Sequence, residues 1–237
     1  MKEIIENILD KKLFILKSEK VKEFLEKNEI KLEKLNAIEV FGGTGLNDSI
    51  FEKHAKTFDV WEIDPTLEKE LKKNLPRANV KICDTIKTLK NGKEFQKFDL
   101  ILIDNPIGVF GESLEYCEHF DLINDVHKFI EDSAIIIFLV NKKPFFLKKF
   151  IEKNELWKKR RKEFYGNLNI ENISIEFLLS FYTELFNNMG FDVDFSKSIS
   201  RHSPHLDYLI YKISRKSERE MLSHIDWISL SGLMKNN

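Results

Sequence analysis

AIEVFGGTGLNDS, residues 37–49, decides the fold. An apolar stretch broken by Glu39 runs into Gly42, Gly43 and Gly45 and then into small polar residues. A strand ending in glycines turns tightly and lets its backbone approach a neighbour that a Cβ would exclude. The same cluster can also serve only to turn the chain, so its meaning depends on what surrounds it.

The surroundings alternate. AIEVF, FDVWEI, NVKIC, FDLILI and SAIIIFLV are short and rich in β-branched or aromatic residues, and segments such as LNDSIFEKHAK and TLEKELKKNL between them have helical patterning. Strands alternating with helices predict βαβ units and a mainly parallel sheet covered on both faces, an α/β doubly wound architecture. Ahead of the first strand, Val21, Phe24 and Leu25 recur at helical spacing behind Ser18, a residue able to cap, so residues 1–35 are expected to be helical. After the fifth strand comes a helical insertion over about 144–190. FDVDFSKSIS and LDYLIYKIS follow as an adjacent pair of strands flanking RHSPH, bringing the sheet to seven. The domain spans 36–215, with 216–237 as a C-terminal tail.

Composition sets limits. The chain has 237 residues, 42% hydrophobic and 12% aromatic, enough for one sizeable core. Its 38 Lys and Arg balance 39 Asp and Glu, so any argument for a polyanionic partner must be local. Cys83 and Cys117, the only cysteines, have no CxxC spacing and give neither a disulfide scaffold nor a cysteine zinc site. No apolar run approaches the ~18 residues of a membrane helix. The expectation is a soluble, cytoplasmic protein without a membrane span or a metal.

In such sheets ligands bind at the carboxyl ends of the strands, beside the point where strand order reverses. Polar residues collect at those ends. VWEIDP closes the second strand with Glu62 and Asp64, where a carboxylate can accept both hydroxyls of a ribose. KICDTI brings Asp84 from the third, placed to meet an adenine amino group or to cap the helix starting at Thr85. LIDNP brings Asp104 from the fourth.

EVFGGTG, with the acids that follow it in order, resembles the class I S-adenosylmethionine-dependent methyltransferases over residues 36–140. Glu39 stands at the acid position of their first motif, and Phe41 stands where many members have the first glycine. The resemblance implies a Rossmann-like fold and S-adenosyl-L-methionine as cofactor. The glycine turn (Gly42, Gly43 and Gly45) would lie against its methionine part, with Glu62 and Asp64 at the ribose and Asp84 at the adenine. VWEIDPTLEKELKKNLP and FDLILIDNPIGVFGESLEY are also similar to the spermidine synthase group, which transfers an aminopropyl group from decarboxylated adenosylmethionine. Departures from that group are Thr44 at the position of its first-motif Asp, the shortened stretch after Asp104, and the lack of a β-rich N-terminal domain. Methyl transfer is therefore the preferred expectation and aminopropyl transfer the alternative.

Methyl transfer is an in-line displacement, so the enzyme chiefly aligns nucleophile and methyl and at most removes one proton. Asp104 is the candidate to orient or deprotonate an amine or hydroxyl, or else to bind the cofactor. Asn105 and Pro106 follow it in DNPI, which is loosely similar to the Asn/Asp-Pro-Pro-aromatic motif of amino-methylating nucleic-acid enzymes, although Ile107 cannot stack on a base. Tyr116 and His119 in GESLEYCEHFD are expected to contact the acceptor. A Cys117 nucleophile with His119 as base is the weaker alternative there. RHSPH offers Arg201, His202 and His205 to a polar or anionic acceptor, provided that the preceding strand runs parallel to the others.

KKPFFLKKFIEKNELWKKRRKEFYG, residues 142–166, carries ten Lys and Arg against three Glu, with Trp157, Phe164 and Tyr165 interleaved. It reads as a solvated basic face or as a surface for nucleic acid. The latter keeps open a catalytically silent nucleic-acid-binding domain. The insertion around it would shape the acceptor site or a homodimer contact, and a small-molecule acceptor is expected ahead of nucleic acid.

Overall fold

The computed structural model describes residues 18–45, 49–92, 95–104, 108–144, 151–166, 170–201 and 205–217, the side chains of 49 and 151–154 excepted. Residues 1–17 of the expected N-terminal helix and nearly all of the 216–237 tail lie outside these. Helix α1 is helical from 18 to 27. Ser18, expected to cap it, is itself helical and buried. Strand and helix then alternate through β1 (Asn36–Val40), α2 (Ser49–His54), β2 (Thr57–Glu62), α3 (Glu68–Asn74), β3 (Asn79–Ile82), α4 (Thr85–Lys90) and β4 (Leu100–Ile103). After β4 come a small hairpin of β5 (Val109–Phe110) and β6 (Tyr116–Cys117), then α5 (Phe120–Ile123) and β7 (Ser133–Asn141). The insertion supplies α6 (Ile151–Tyr165) and α7 (Ile175–Asn188), and β8 (Phe191–Ser200) and β9 (Leu206–Arg215) close the fold.

The seven-stranded sheet has the order β3-β2-β1-β4-β7-β9-β8. Neighbours from β3 to β7 pair parallel, and β9 runs antiparallel to both β7 and β8, so β8 points the same way as the first five. Order reverses between β1 and β4. Val40 is in register with Ile103 there, so the glycine turn and Asp104 leave the sheet side by side.

Side chains alternate across the strands and divide the core in two. From β7, Ile136, Phe138 and Val140 enter the layer beneath α4–α7, while Ile135, Ile137 and Leu139 enter the one beneath α1–α3. Burial on both faces explains why β4 and β7 read as unbroken apolar runs. Helix α7 begins at Ser174, whose hydroxyl accepts from Phe177 N, and lays Leu178, Tyr182 and Phe186 inward at four-residue spacing.

Helix α6 keeps a solvated basic face at Lys159 and turns the aromatics of the stretch inward. Trp157, Arg161 and Tyr165 recur every four residues on one face and are buried, and Phe164 stacks on Phe120 at 4.1 Å. The aromatics that would have met bases belong to the core. Away from that face Lys158 pairs with Glu155 and Glu171, and Lys159 with Glu163.

Candidate active site

Each glycine of the opening motif has its own reason. A Cβ on Gly42 would stand 2.3 Å from Val60 Cγ1, and one on Gly45 2.7 Å from Leu75 Cδ1. Both are glycines because the core presses against them. Gly43 differs, since a Cβ there would meet nothing nearer than Phe41 O at 4.0 Å. Its bare backbone therefore faces open space at the rim. Gly43 and Gly45 have positive φ, and so does Phe41 at 67°, an uncommon state for a bulky residue. Phe41 is seated edge-on to Phe110 with ring centroids 5.5 Å apart.

Glu62, at the end of β2, takes Gly43 N at 2.7 Å and Asp64 N at 2.8 Å on its two carboxylate oxygens, tying the glycine turn to the neighbouring strand. Asp64 accepts from Thr66 N and Thr66 Oγ1 and caps the short 3-10 turn that leads into α3. These bonds hold its carboxyl below the usual range. Between the two acids Ile63 is 47% exposed, the one large apolar side chain so exposed among the described residues. Sequence reasoning passed over it because an isoleucine at a strand end looks like core. An exposed apolar side chain can lie against the face of a flat ring.

Asp84 caps α4 through Lys87 N at 2.9 Å and also accepts from Tyr116 OH at 3.1 Å. Burial, followed by the Asp84 carboxylate, pushes the Tyr116 phenol up to about 12, so it is a donor. Tyr116 is thus committed to Asp84 and nearly inaccessible, a correction to its expected place at the acceptor. Glu39, the penultimate residue of β1, is also fully buried.

Asp104 and Arg201 meet across the rim. Arg201 Nη1 donates to Asp104 Oδ1 at 2.7 Å and Nη2 to Oδ2 at 3.0 Å, a fork-on-carboxylate pairing between the ends of β4 and β8. The guanidinium lies over the Tyr208 ring, 5.1 Å from its centroid. The parallel course of β8 brings Arg201 to this edge. His205, at the foot of β9, passes its carbonyl to Lys142 N. Asn105, Pro106 and His202 lie outside the described residues.

His119 requires a second correction. It is completely buried, and its Nε2 is hydrogen-bonded to Tyr182 OH, which in turn meets Tyr165 OH at 2.8 Å. Burial, with Arg161 nearby, lowers the imidazole to about 3, so it stays neutral and reaches no ligand. Cys117 is buried too, and burial together with Glu118 raises its thiol far above the ordinary value. That is the opposite of a nucleophile's setting. The residue with structural consequence in this loop is Glu118, which accepts from Arg161 Nη1 at 2.5 Å and from Trp157 Nε1 at 2.7 Å. Its backbone N donates to Gly108 O at 2.9 Å and so pins the hairpin that follows Asp104.

No protein-family model matches the sequence, and no curated protein matches it. Solved structures do. Magnesium protoporphyrin IX methyltransferase from Synechocystis PCC 6803, with bound S-adenosylhomocysteine, is 12% identical, covers 84% of this chain and 81% of its own, and superposes with a TM-score of 0.51. TYW2 of M. jannaschii in complex with S-adenosylmethionine is 14% identical over 82% of this chain and 75% of its own, with a TM-score of 0.45. The chain has the Rossmann-like fold of the class I S-adenosylmethionine-dependent methyltransferases. No described helix is long and apolar enough to cross a membrane.

Proposed function

We propose that the protein transfers the methyl group of S-adenosylmethionine to an amine or hydroxyl of a small-molecule acceptor. The observation that carries this reading is the row of polar ends along one edge, Asp84, Glu62, the Gly43 backbone, Asp104 and Arg201, on β3, β2, β1, β4 and β8. S-Adenosylmethionine supplies a methyl group already activated on a sulfonium. Gly43 leaves a cradle for its amino-acid part, Glu62 accepts from the ribose hydroxyls, Ile63 lies along the adenine and Asp84 faces its amino group. Asp104 orients the nucleophile, held in one direction by the Arg201 fork.

Calorimetry with S-adenosylmethionine and with its decarboxylated form tests this. Binding of the former is expected. Preference for the decarboxylated donor replaces methyl with aminopropyl transfer, and binding of neither leaves a silent domain. Glu62→Gln should weaken the donor by about 1.5–3 kcal/mol, the worth of a charge-assisted acceptor. An unchanged dissociation constant in a folded variant removes Glu62 from the ribose.

A further inference from the structure

Both oxygens of Asp84 are engaged. Oδ1 accepts from Lys87 N at 2.9 Å and caps α4. Oδ2 accepts from Tyr116 OH at 3.1 Å and stands 3.4 Å from the Lys87 ammonium, so two partners share the two lone-pair positions of that oxygen. An exocyclic amino group arriving at Asp84 must displace one of them. The Tyr116 bond is long for O–H···O, whose usual length is about 2.7–2.8 Å, and it comes from a different element of the fold.

That element is the hairpin of β5 and β6. With two residues in each strand it is too short to be stable by itself and is held by what it touches. Phe110 packs on Tyr116 and on Phe41, with ring centroids 5.5 Å apart in each pair. Tyr116 thus reaches Asp84 from the side of the glycine turn, whereas Lys87 belongs to the helix that Asp84 caps. Leu114 and Glu118, either side of β6, have φ of 55° and 45°, a strained backbone that persists only while its surroundings enforce it. A ligand lying along the glycine turn meets the hydroxyl of Tyr116 first.

From this geometry we infer that the Tyr116 hydroxyl occupies the place on Asp84 that the adenine amino group of S-adenosylmethionine takes, and that binding moves Tyr116 off the carboxylate. The inference rests on the methyl-transfer reading. It makes Tyr116 a determinant of cofactor affinity, because the amino group gains its bond to Asp84 only by ending another. Tyr116→Phe keeps the ring against Phe110 and removes the competing hydroxyl alone.

Adenosine and purine riboside, the same nucleoside without the amino group, serve as probes, with dissociation constants read by NMR titration of the full chain. Wild type should prefer adenosine by no more than about threefold, since one hydrogen bond replaces another. In Tyr116→Phe the preference should widen about two- to tenfold, the range of one hydrogen bond no longer given up. A preference that stays equal or narrows in the variant overturns the inference, because a tyrosine that only supports the fold affects both nucleosides alike. So does a wild-type preference beyond about threefold. If neither nucleoside binds while S-adenosylmethionine does in calorimetry, the inference falls and the methyl-transfer reading stands. Absence of S-adenosylmethionine binding is the failure of that reading, and the inference falls with it.

Discussion

The two flanks of the rim are held by different means. Beside β1–β3, Glu62, Asp64 and Asp84 each accept from a backbone amide no more than 19 residues away along the chain. Beside α6, Arg161 and Trp157 reach Glu118 across 43 and 39 residues, and the whole cluster is buried. The first flank uses charge to shape backbone at a surface. The second consumes its charge internally, locking the insertion to the hairpin after Asp104. Charge therefore shapes backbone near the surface on one side and a buried scaffold on the other.

Glu118→Ala should break this contrast most severely. It strands the Arg161 guanidinium without its carboxylate, at a cost of about 3–5 kcal/mol in unfolding free energy by urea titration. Glu62→Gln, on the other flank, should cost roughly 1 kcal/mol, the net worth of a typical hydrogen bond. Equal losses would mean that both flanks are scaffold.

The glycines sharpen the comparison within one flank. Gly45→Ala drives a Cβ into Leu75 and should destabilise by about 1–3 kcal/mol through overpacking, in addition to its backbone strain. Gly43→Ala meets no such neighbour and should cost only the left-handed backbone penalty, about 1–2 kcal/mol. The order should invert for S-adenosylmethionine affinity, with Gly43→Ala the more damaging in calorimetry. If affinity instead follows stability, Gly43 lies against nothing but the protein.

The smallest effect concerns protons on the buried side. His119 takes up a proton near pH 6.5 when unfolded but only near 3 when folded. Across that window the unfolded state binds more protons, so stability falls as pH drops. Between about pH 6.5 and 5 the wild type should lose roughly 1–2 kcal/mol that His119→Gln retains, at ~1.4 kcal/mol for each pH unit. Parallel pH profiles for the two proteins would place His119 in contact with solvent.

Legibility follows the range of the interaction. The parallel strands could be read because burial on both faces writes them as apolar runs, and the glycine turn and strand-end acids because their geometry is local. β5 and β6, two residues each, leave no period to detect. Arg161 sits in KKRRK and looks solvated, since nothing near it in sequence announces Glu118. Asp104 is visible as a strand-end acid, yet its Arg201 partner is 97 residues away, so the sequence shows an acid without showing that it is paired.

The place of β9 has a consequence for biosynthesis. Among the described strands it is the last to leave the ribosome, yet it lies between β7 and β8 rather than at an edge. Until it arrives, SAIIIFLV of β7 has an open side, a sticky template for a neighbouring nascent chain. The Asp104–Arg201 pair must wait as well, because Arg201 N bonds to Leu206 O at the start of β9. A chain stalled before residue 206 would leave that side of β7 open beside an already assembled β3-β2-β1-β4 edge.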